Sequence, residues 1–165
     1  MKASDLMTTH VITAHADTTV EELARLLTRN RIGSVPIVDE ERRVIGIVSE
    51  SDLFLKEKGI PFSAVKLPTL FRQWVDPRQL AQVYDNARHH TAADIMTRDV
   101  VCVEHDEPVG HVAWFMMQWG VERVPVVRAE RLVGLISRVD LIRMLAEPAE
   151  TQAPAGESEA LAAPA

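Results

Sequence analysis

Cysteine occurs once, as Cys102, so no disulfide can form within the chain. Lying in the apolar run Val100 to Val103, that thiol reads as a small hydrophobe rather than a nucleophile or metal ligand. Long hydrophobic runs are missing too. Stretches such as Val11 to Ala14 and His111 to Trp119 fall far short of the roughly 20 apolar residues that cross a bilayer. The opening Met1-Lys2-Ala3-Ser4-Asp5 has no apolar segment of the secretory kind, and a cytoplasmic protein without membrane partners is expected. An excess of basic charge is also lacking. The formal net charge is −6; Glu147, Glu150, Glu157 and Glu159 lie in a stretch without Lys or Arg, leaving residues 1–146 at −2. A nucleic-acid reader would show a basic face, so no nucleic-acid partner is expected. Catalytic signatures are absent: there is no His-Glu-x-x-His, no Gly-x-Ser-x-Gly, no Walker loop and no Gly-x-Gly-x-x-Gly. His10, His15, His105 and His111 are scattered, while the adjacent His89 and His90 would point in different directions on a helix. No catalytic residue, no metal site and no enzyme activity are expected.

What the chain does have is a pattern written twice, within 165 residues of ordinary globular composition, 47% apolar and 25% charged. Asp5-Leu6-Met7-Thr8 recurs as Asp94-Ile95-Met96-Thr97. Val35-Pro36-Ile37-Val38 recurs as Val124-Pro125-Val126-Val127, at the same offset of 89. Gly46-Ile47-Val48-Ser49-Glu50-Ser51-Asp52 recurs as Gly134-Leu135-Ile136-Ser137-Arg138-Val139-Asp140, at an offset of 88. The lost residue falls where Asp39 to Arg43 faces Arg128 to Arg131, a polar stretch between apolar runs that predicts a hairpin turn shortened by one. Val20, Leu23, Ala24 and Leu27, and Val109, Val112, Ala113 and Met116, share the i, i+3, i+4, i+7 spacing of a helix face. Thr18-x-x-Glu21 predicts a capping box for the first of these helices, Asp106 and Pro108 the start of the second, and Gly120 its stop.

Each copy thus reads strand, helix, strand, strand, helix over about fifty residues, too little for a comfortable core unless two copies pack together. We divide the chain into repeat 1 (residues 1–53), an inserted helical linker (54–91), repeat 2 (92–146) and a disordered Ala/Pro/Glu-rich tail (147–165). Leu80, Val83, Tyr84 and Ala87 give the linker a helical stripe.

The ordered, repeated blocks resemble the tandem CBS-domain pair, or Bateman module, over about residues 3–53 and 92–146. That resemblance implies an α/β fold of β-α-β-β-α units with pseudo-two-fold symmetry and two clefts between the repeats. It also implies a regulatory ligand of the AMP, ADP, ATP or S-adenosylmethionine class rather than a catalytic cofactor.

Ser49-x-x-Asp52 and Ser137-x-x-Asp140 each put a hydroxyl and a carboxylate at a helix start. Two readings compete. In one, Ser and Asp form a capping box at the positive end of the helix dipole. In the other, the carboxylate accepts hydrogen bonds from the cis-diol of a ribose while the Ser hydroxyl and backbone N–H groups face a phosphate. The resemblance favours the second. Arg138 stands where repeat 1 has Glu50, and Arg123 where it has Ser34, so the second cleft is expected to prefer phosphorylated ligands. Pairing with Glu122, or simple solvation, is the alternative for both arginines. By resemblance, base recognition falls to the backbone around Thr13 and its counterpart Val103, with Ile32 or Val121 against the adenine. Pro36 and Pro125 complete the cleft set.

The helix His111 to Trp119 is apolar nearly all round and needs burial on more than one side. Trp114 and Met117 predict a homodimer face, the alternative cover being Phe71, Trp74 and Tyr84 of the linker. The expected function is an adenosine-ligand sensor that signals to a partner protein in trans. The alternative is a structural dimerisation or docking module with vestigial clefts.

Overall fold

The computed structural model describes residues 1–54, 85 and 87–146. It shows the α/β arrangement expected of the duplicated pattern, with each repeat centred on a β-hairpin and the helix before it.

In repeat 1, helix α1 (Ala3–Leu6) is followed by α2 (Val20–Asn30). The N-cap of α2 is Thr19, not Thr18: the Thr19 hydroxyl accepts from the Glu22 N–H at 3.2 Å, and the Glu22 carboxylate accepts from the Thr19 N–H at 3.0 Å. Thr18 is already committed to the preceding turn, its hydroxyl accepting from the His15 N–H at 3.0 Å, so the box moves one residue along. Strand β1 (Ser34–Val38) then pairs antiparallel with β2 (Val44–Ser49), and α3 (Glu50–Phe54) follows directly.

Repeat 2 runs α4 (Ala92–Ile95), β3 (Val103–Glu104), α5 (Val109–Gln118), β4 (Arg123–Arg128), β5 (Arg131–Ser137) and α6 (Arg138–Ala146). The cap of α5 is Pro108, which makes no side-chain cap bond, so Asp106 does not start this helix. Gly120 does stop it, at φ 63°, in the left-handed conformation glycine adopts without cost. Arg31 takes the same position in repeat 1 at φ 53°.

The shortened hairpin is present. Ala129 and Glu130 make a two-residue turn with both φ angles positive, the twist that matches paired strands. Between the equivalent pairs, Val127 with Leu132 and Val38 with Val44, repeat 2 has four residues and repeat 1 has five, where Asp39 accepts from the Arg43 N–H at 2.7 Å and from its Nε at 2.9 Å. The leading strand is a real two-residue strand only in repeat 2, where β3 pairs parallel with β4. In repeat 1 it shrinks to one parallel bridge between Ala14 and Ile37.

Among the described residues two clusters form the core. One joins Leu23 and Leu27 of α2 with Val35, Ile37 and Val48; the other joins Val112 and Met116 of α5 with Val124, Val126 and Ile136. The start of each repeat belongs to the other repeat's cluster. Ala3, fully buried, sits in the repeat 2 core, while Ala92, Ile95 and Met96 sit in the repeat 1 core. Hydrogen bonds enforce the exchange. Thr8 and Leu135 trade backbone bonds at 2.9 and 3.0 Å, and Thr97 and Ile47 trade both of theirs at 3.0 Å.

Glycine makes room for this crossing. A Cβ at Gly134 would lie 2.6 Å from Met7 Cγ, and one at Gly46 would lie 2.8 Å from Met96 Cγ. Each methionine therefore lies flat on a strand of the opposite repeat, which explains why Met and Gly recur together in the duplicated pattern. The hairpins also meet tip to tip, with Arg43 bridged to Arg131 and the Leu132 N–H donating to the Arg42 carbonyl at 2.9 Å.

Ala87 is buried in the repeat 1 core. The rest of the helical stripe expected around Leu80, Val83 and Tyr84, the linker aromatics Phe71 and Trp74, and the tail from residue 147 lie outside the described residues. No helix of the described residues is long and apolar enough to cross a membrane.

Candidate functional site

Where each hairpin's second strand ends, the chain turns straight into a helix, and a Ser-Asp pair is built at that corner. In repeat 2 the Asp140 Oδ2 accepts from the Ser137 N–H at 2.8 Å and from its hydroxyl at 2.6 Å, while the Asp140 N–H lies 3.4 Å from the Ser137 Oγ. In repeat 1 the Asp52 Oδ2 accepts from the Ser49 N–H at 2.7 Å and from its hydroxyl at 3.0 Å, and Ser51 Oγ lies 2.8 Å from Ser49 Oγ. Both carboxylates are buried, at 5% exposure for Asp52 and 8% for Asp140. The capping reading is thus realised in both copies.

Capping does not exhaust the Asp140 carboxylate: an ionised carboxylate offers about four lone-pair sites, and Ser137 takes Oδ2 alone in the bonds described. In Asp140 the other oxygen faces Arg143 Nη1 at 3.4 Å, an exposed side chain that can swing away. The serine bonds hold each carboxylate in one orientation, the preorganisation that a diol-binding group needs.

The residues placed beside these corners differ between the repeats. Ser34 lies directly across the β1–β2 ladder from Ser49, and Arg123 directly across β4–β5 from Ser137. Ser34 is buried, and its hydroxyl has no hydrogen-bond partner among the described residues. Pro36 and Pro125 are fully buried one step further in. Ile32 and Val121 are half-buried, each packed on the edge of its own repeat's core.

Three expectations change at this point. Arg138 turns back onto its own repeat, its Nε donating to the Val121 carbonyl at 3.3 Å, and its side chain is exposed. Arg123 does not stay in repeat 2. A Cβ built on Gly33 would lie 2.9 Å from the Arg123 Cζ and 3.0 Å from its Nη1, so the guanidinium rests on the repeat 1 backbone beside Ser34. Among the described residues its ion pair is a loose contact with the exposed Glu122, at 3.7 Å. The third change is one of register. Ala14 bridges Ile37 as Val103 pairs Val126, so Val103 answers to Ala14, and the counterpart of Thr13 is Cys102. Val103 points into the core and is buried, whereas Thr13 and Cys102 are half-buried. Burial pushes the Cys102 thiol above its ordinary range and keeps it protonated.

Gly33 escaped sequence reasoning, because the offset pairs it with Glu122 and nothing in either residue signals a contact with an arginine 90 positions away. Its role is backbone: the Gly33 carbonyl accepts from the Glu50 N–H at 3.1 Å, as the Glu122 carbonyl accepts from the Arg138 N–H at 3.0 Å. A groove of about 370 Å³ bordered by Thr18, Glu22, Arg25, Leu26, Arg29 and Asn30 lies on α2, and none of the cleft residues lines it.

Comparison with known proteins agrees with this architecture. The family model for the CBS domain matches twice, over residues 3–58 and 92–147. The CBS domain pair of protein MJ0100, solved with 5′-methylthioadenosine and S-adenosyl-L-methionine, is 29% identical, with a TM-score of 0.65 over 88% of this chain and 96% of that one. The CBS domain of a membrane protein from Sphaerobacter thermophilus is 29% identical, with a TM-score of 0.69 over 87% of this chain and 86% of that one. An L-aspartate semialdehyde sulfurtransferase from Methanocaldococcus jannaschii is 30% identical over 85% of this chain, which spans only 22% of that protein's length. With two family matches in tandem, each on a repeat whose start completes the core of the other, the chain belongs to the CBS-domain family as a pair of CBS domains.

Proposed function

We propose that the chain is a regulatory module, not an enzyme, which binds an adenosine-containing ligand between its repeats and passes the change to a partner protein in trans. The observation that carries this reading is the pair of buried, preorganised carboxylates, Asp52 and Asp140, at equivalent corners of the two repeats. A ribose cis-diol matches such a carboxylate, and the ligands named for the MJ0100 pair both carry adenosine. Arg123 supplies the positive charge that a phosphorylated ligand needs. Since a ligand shifts a conformation only through unequal affinity for two states, the signal would be the relative pose of the repeats, to which the crossing segments couple both cores.

The same reading includes self-association. Trp114 and Met117 of α5 and Val139 and Ile142 of α6 are 52, 76, 61 and 61% exposed. In repeat 1 the positions matching Trp114, Met117 and Val139 are Arg25, Thr28 and Ser51, so at these three positions the apolar surface belongs to repeat 2. A second copy covering that surface gives a homodimer through repeat 2.

Calorimetric titration with AMP, ADP, ATP, S-adenosylmethionine and NADH tests the ligand. Binding tighter than about millimolar, abolished for at least one cleft by Asp52→Ala or Asp140→Ala, is expected. No binding would leave the chain a docking or dimerisation module whose Ser-Asp pairs serve only as helix caps.

A further inference from the structure

The Asp140 carboxylate has more donors around it than a ribose diol leaves room for. Its Oδ2 accepts from the Ser137 N–H at 2.8 Å and from the Ser137 hydroxyl at 2.6 Å, and its Oδ1 faces Arg143 Nη1 at 3.4 Å. The serine bonds are fixed by the strand-to-helix corner, since Ser137 ends β5 and Asp140 lies in the first turn of α6. Arg143 is held more loosely: its side chain is 63% exposed, against 12% for that of Asp140, its ion-pair partner among the described residues. An ionised carboxylate offers about four lone-pair sites. Two go to Ser137, and the two hydroxyls of a cis-diol fill the other two, so Arg143 is the donor that has to leave. In repeat 1 the offset of 88 puts Leu55 at the matching position, and an apolar side chain cannot form such a pair.

We propose that Arg143 is a built-in competitor for the second cleft: it occupies the Asp140 carboxylate while that cleft is empty and is exchanged for the ribose diol when an adenosine ligand binds. The inference rests on the adenosine-ligand reading above and adds to it a residue that sets the affinity of one cleft. Guanidinium and diol both bring donors to the same carboxylate, so they exclude one another. A buried carboxylate without a counter-charge costs stability, and Arg143 steadies the empty corner in this way. The pair is nevertheless weak, because an ion pair with an exposed member contributes little in water and salt screens it further. Its effect is a modest reduction of affinity at Asp140, by a contact that repeat 1 cannot make from position 55.

Titration calorimetry with adenosine, which carries no phosphate to engage a cation, tests this in the full chain and again in Asp52→Ala, where the carboxylate of the first corner is removed. Arg143→Gln is expected to tighten adenosine binding at the second cleft about two- to fivefold in both backgrounds, the factor that an exposed ion pair supplies. Raising sodium chloride from about 0.05 M to about 0.5 M should tighten binding more in the chain with Arg143 than in Arg143→Gln, since salt screens the pair only where it exists. Equal affinities with and without Arg143 would overturn the proposal. So would weaker binding by Arg143→Gln, which would make the guanidinium a ligand contact. Adenosine bound by none of these chains would refute the adenosine-ligand reading and this inference with it, whereas binding that ignores Arg143 sinks the inference alone.

Discussion

Single residues decide the chemistry here, and several of them do two jobs. Asp140 and Asp52 hold their own helix starts together and are also the carboxylates proposed to take the ligand. Asp140→Ala should therefore cost roughly 1 kcal/mol of stability, the usual price of a lost cap, in addition to ligand affinity. Urea unfolding and titration of the same variant separate the two. Carboxylates elsewhere give the acid side of the stability curve. The Thr91 N–H, then its hydroxyl, hold Asp94 below the usual carboxyl range, and the Thr19 N–H, then its hydroxyl, do the same for Glu22. Both folded values lie below the unfolded ones. Their contribution is thus complete above about pH 4 and lost as the pH falls through the lowered values. Urea midpoints measured from neutral pH down to about pH 2 should drop less steeply in Asp94→Asn and Glu22→Gln than in the wild type. The Ser-Asp corners were legible in the sequence because both members lie within one helical turn of each other. The reach of Arg123 to Gly33 was not, since a contact between distant segments leaves no mark in local spacing.

At the scale of elements, helix faces and hairpins could be read from periodicity, and even the missing turn residue was located by the change of offset. Repetition alone could not show which copy each short opening segment packs on, because the Asp-x-Met-Thr block is equally compatible with its own repeat or the other. The structure answers through the glycines: Met7 lies on Gly134 and Met96 on Gly46. Gly134→Ala should cost about 1–3 kcal/mol, the range for overpacking a filled site, and Met7→Ala in the same chain should recover part of that loss. Denaturant midpoints of the two single variants and the double variant check it. Removal of residues 1–8 takes away Ala3 and the Thr8 bonds, so amide exchange should quicken first in β5 rather than in β1 or β2.

For the molecule as a whole, the pseudo-symmetry of the cores is not matched on the surface. Repeat 2 presents Trp114, Met117, Val139 and Ile142, while repeat 1 presents charged and hydroxylated side chains at the equivalents of the first three. Met117→Asp should shift the protein to a slower-eluting monomer in size exclusion with little change in thermal midpoint at low concentration, whereas Thr28→Asp should leave the elution unchanged. The exchanged opening segments have a consequence for ancestry and for engineering. A lone repeat cut from this chain lacks the piece that finishes its core, and the only other source of that piece is a sister molecule. Joining two such units on one backbone replaces a concentration-dependent swap between strangers with a tethered one, at the far higher local concentration a linker provides. Gene duplication of this kind needs no new contact to be advantageous: it makes permanent, at any dilution, an embrace that single units could keep only in a crowd.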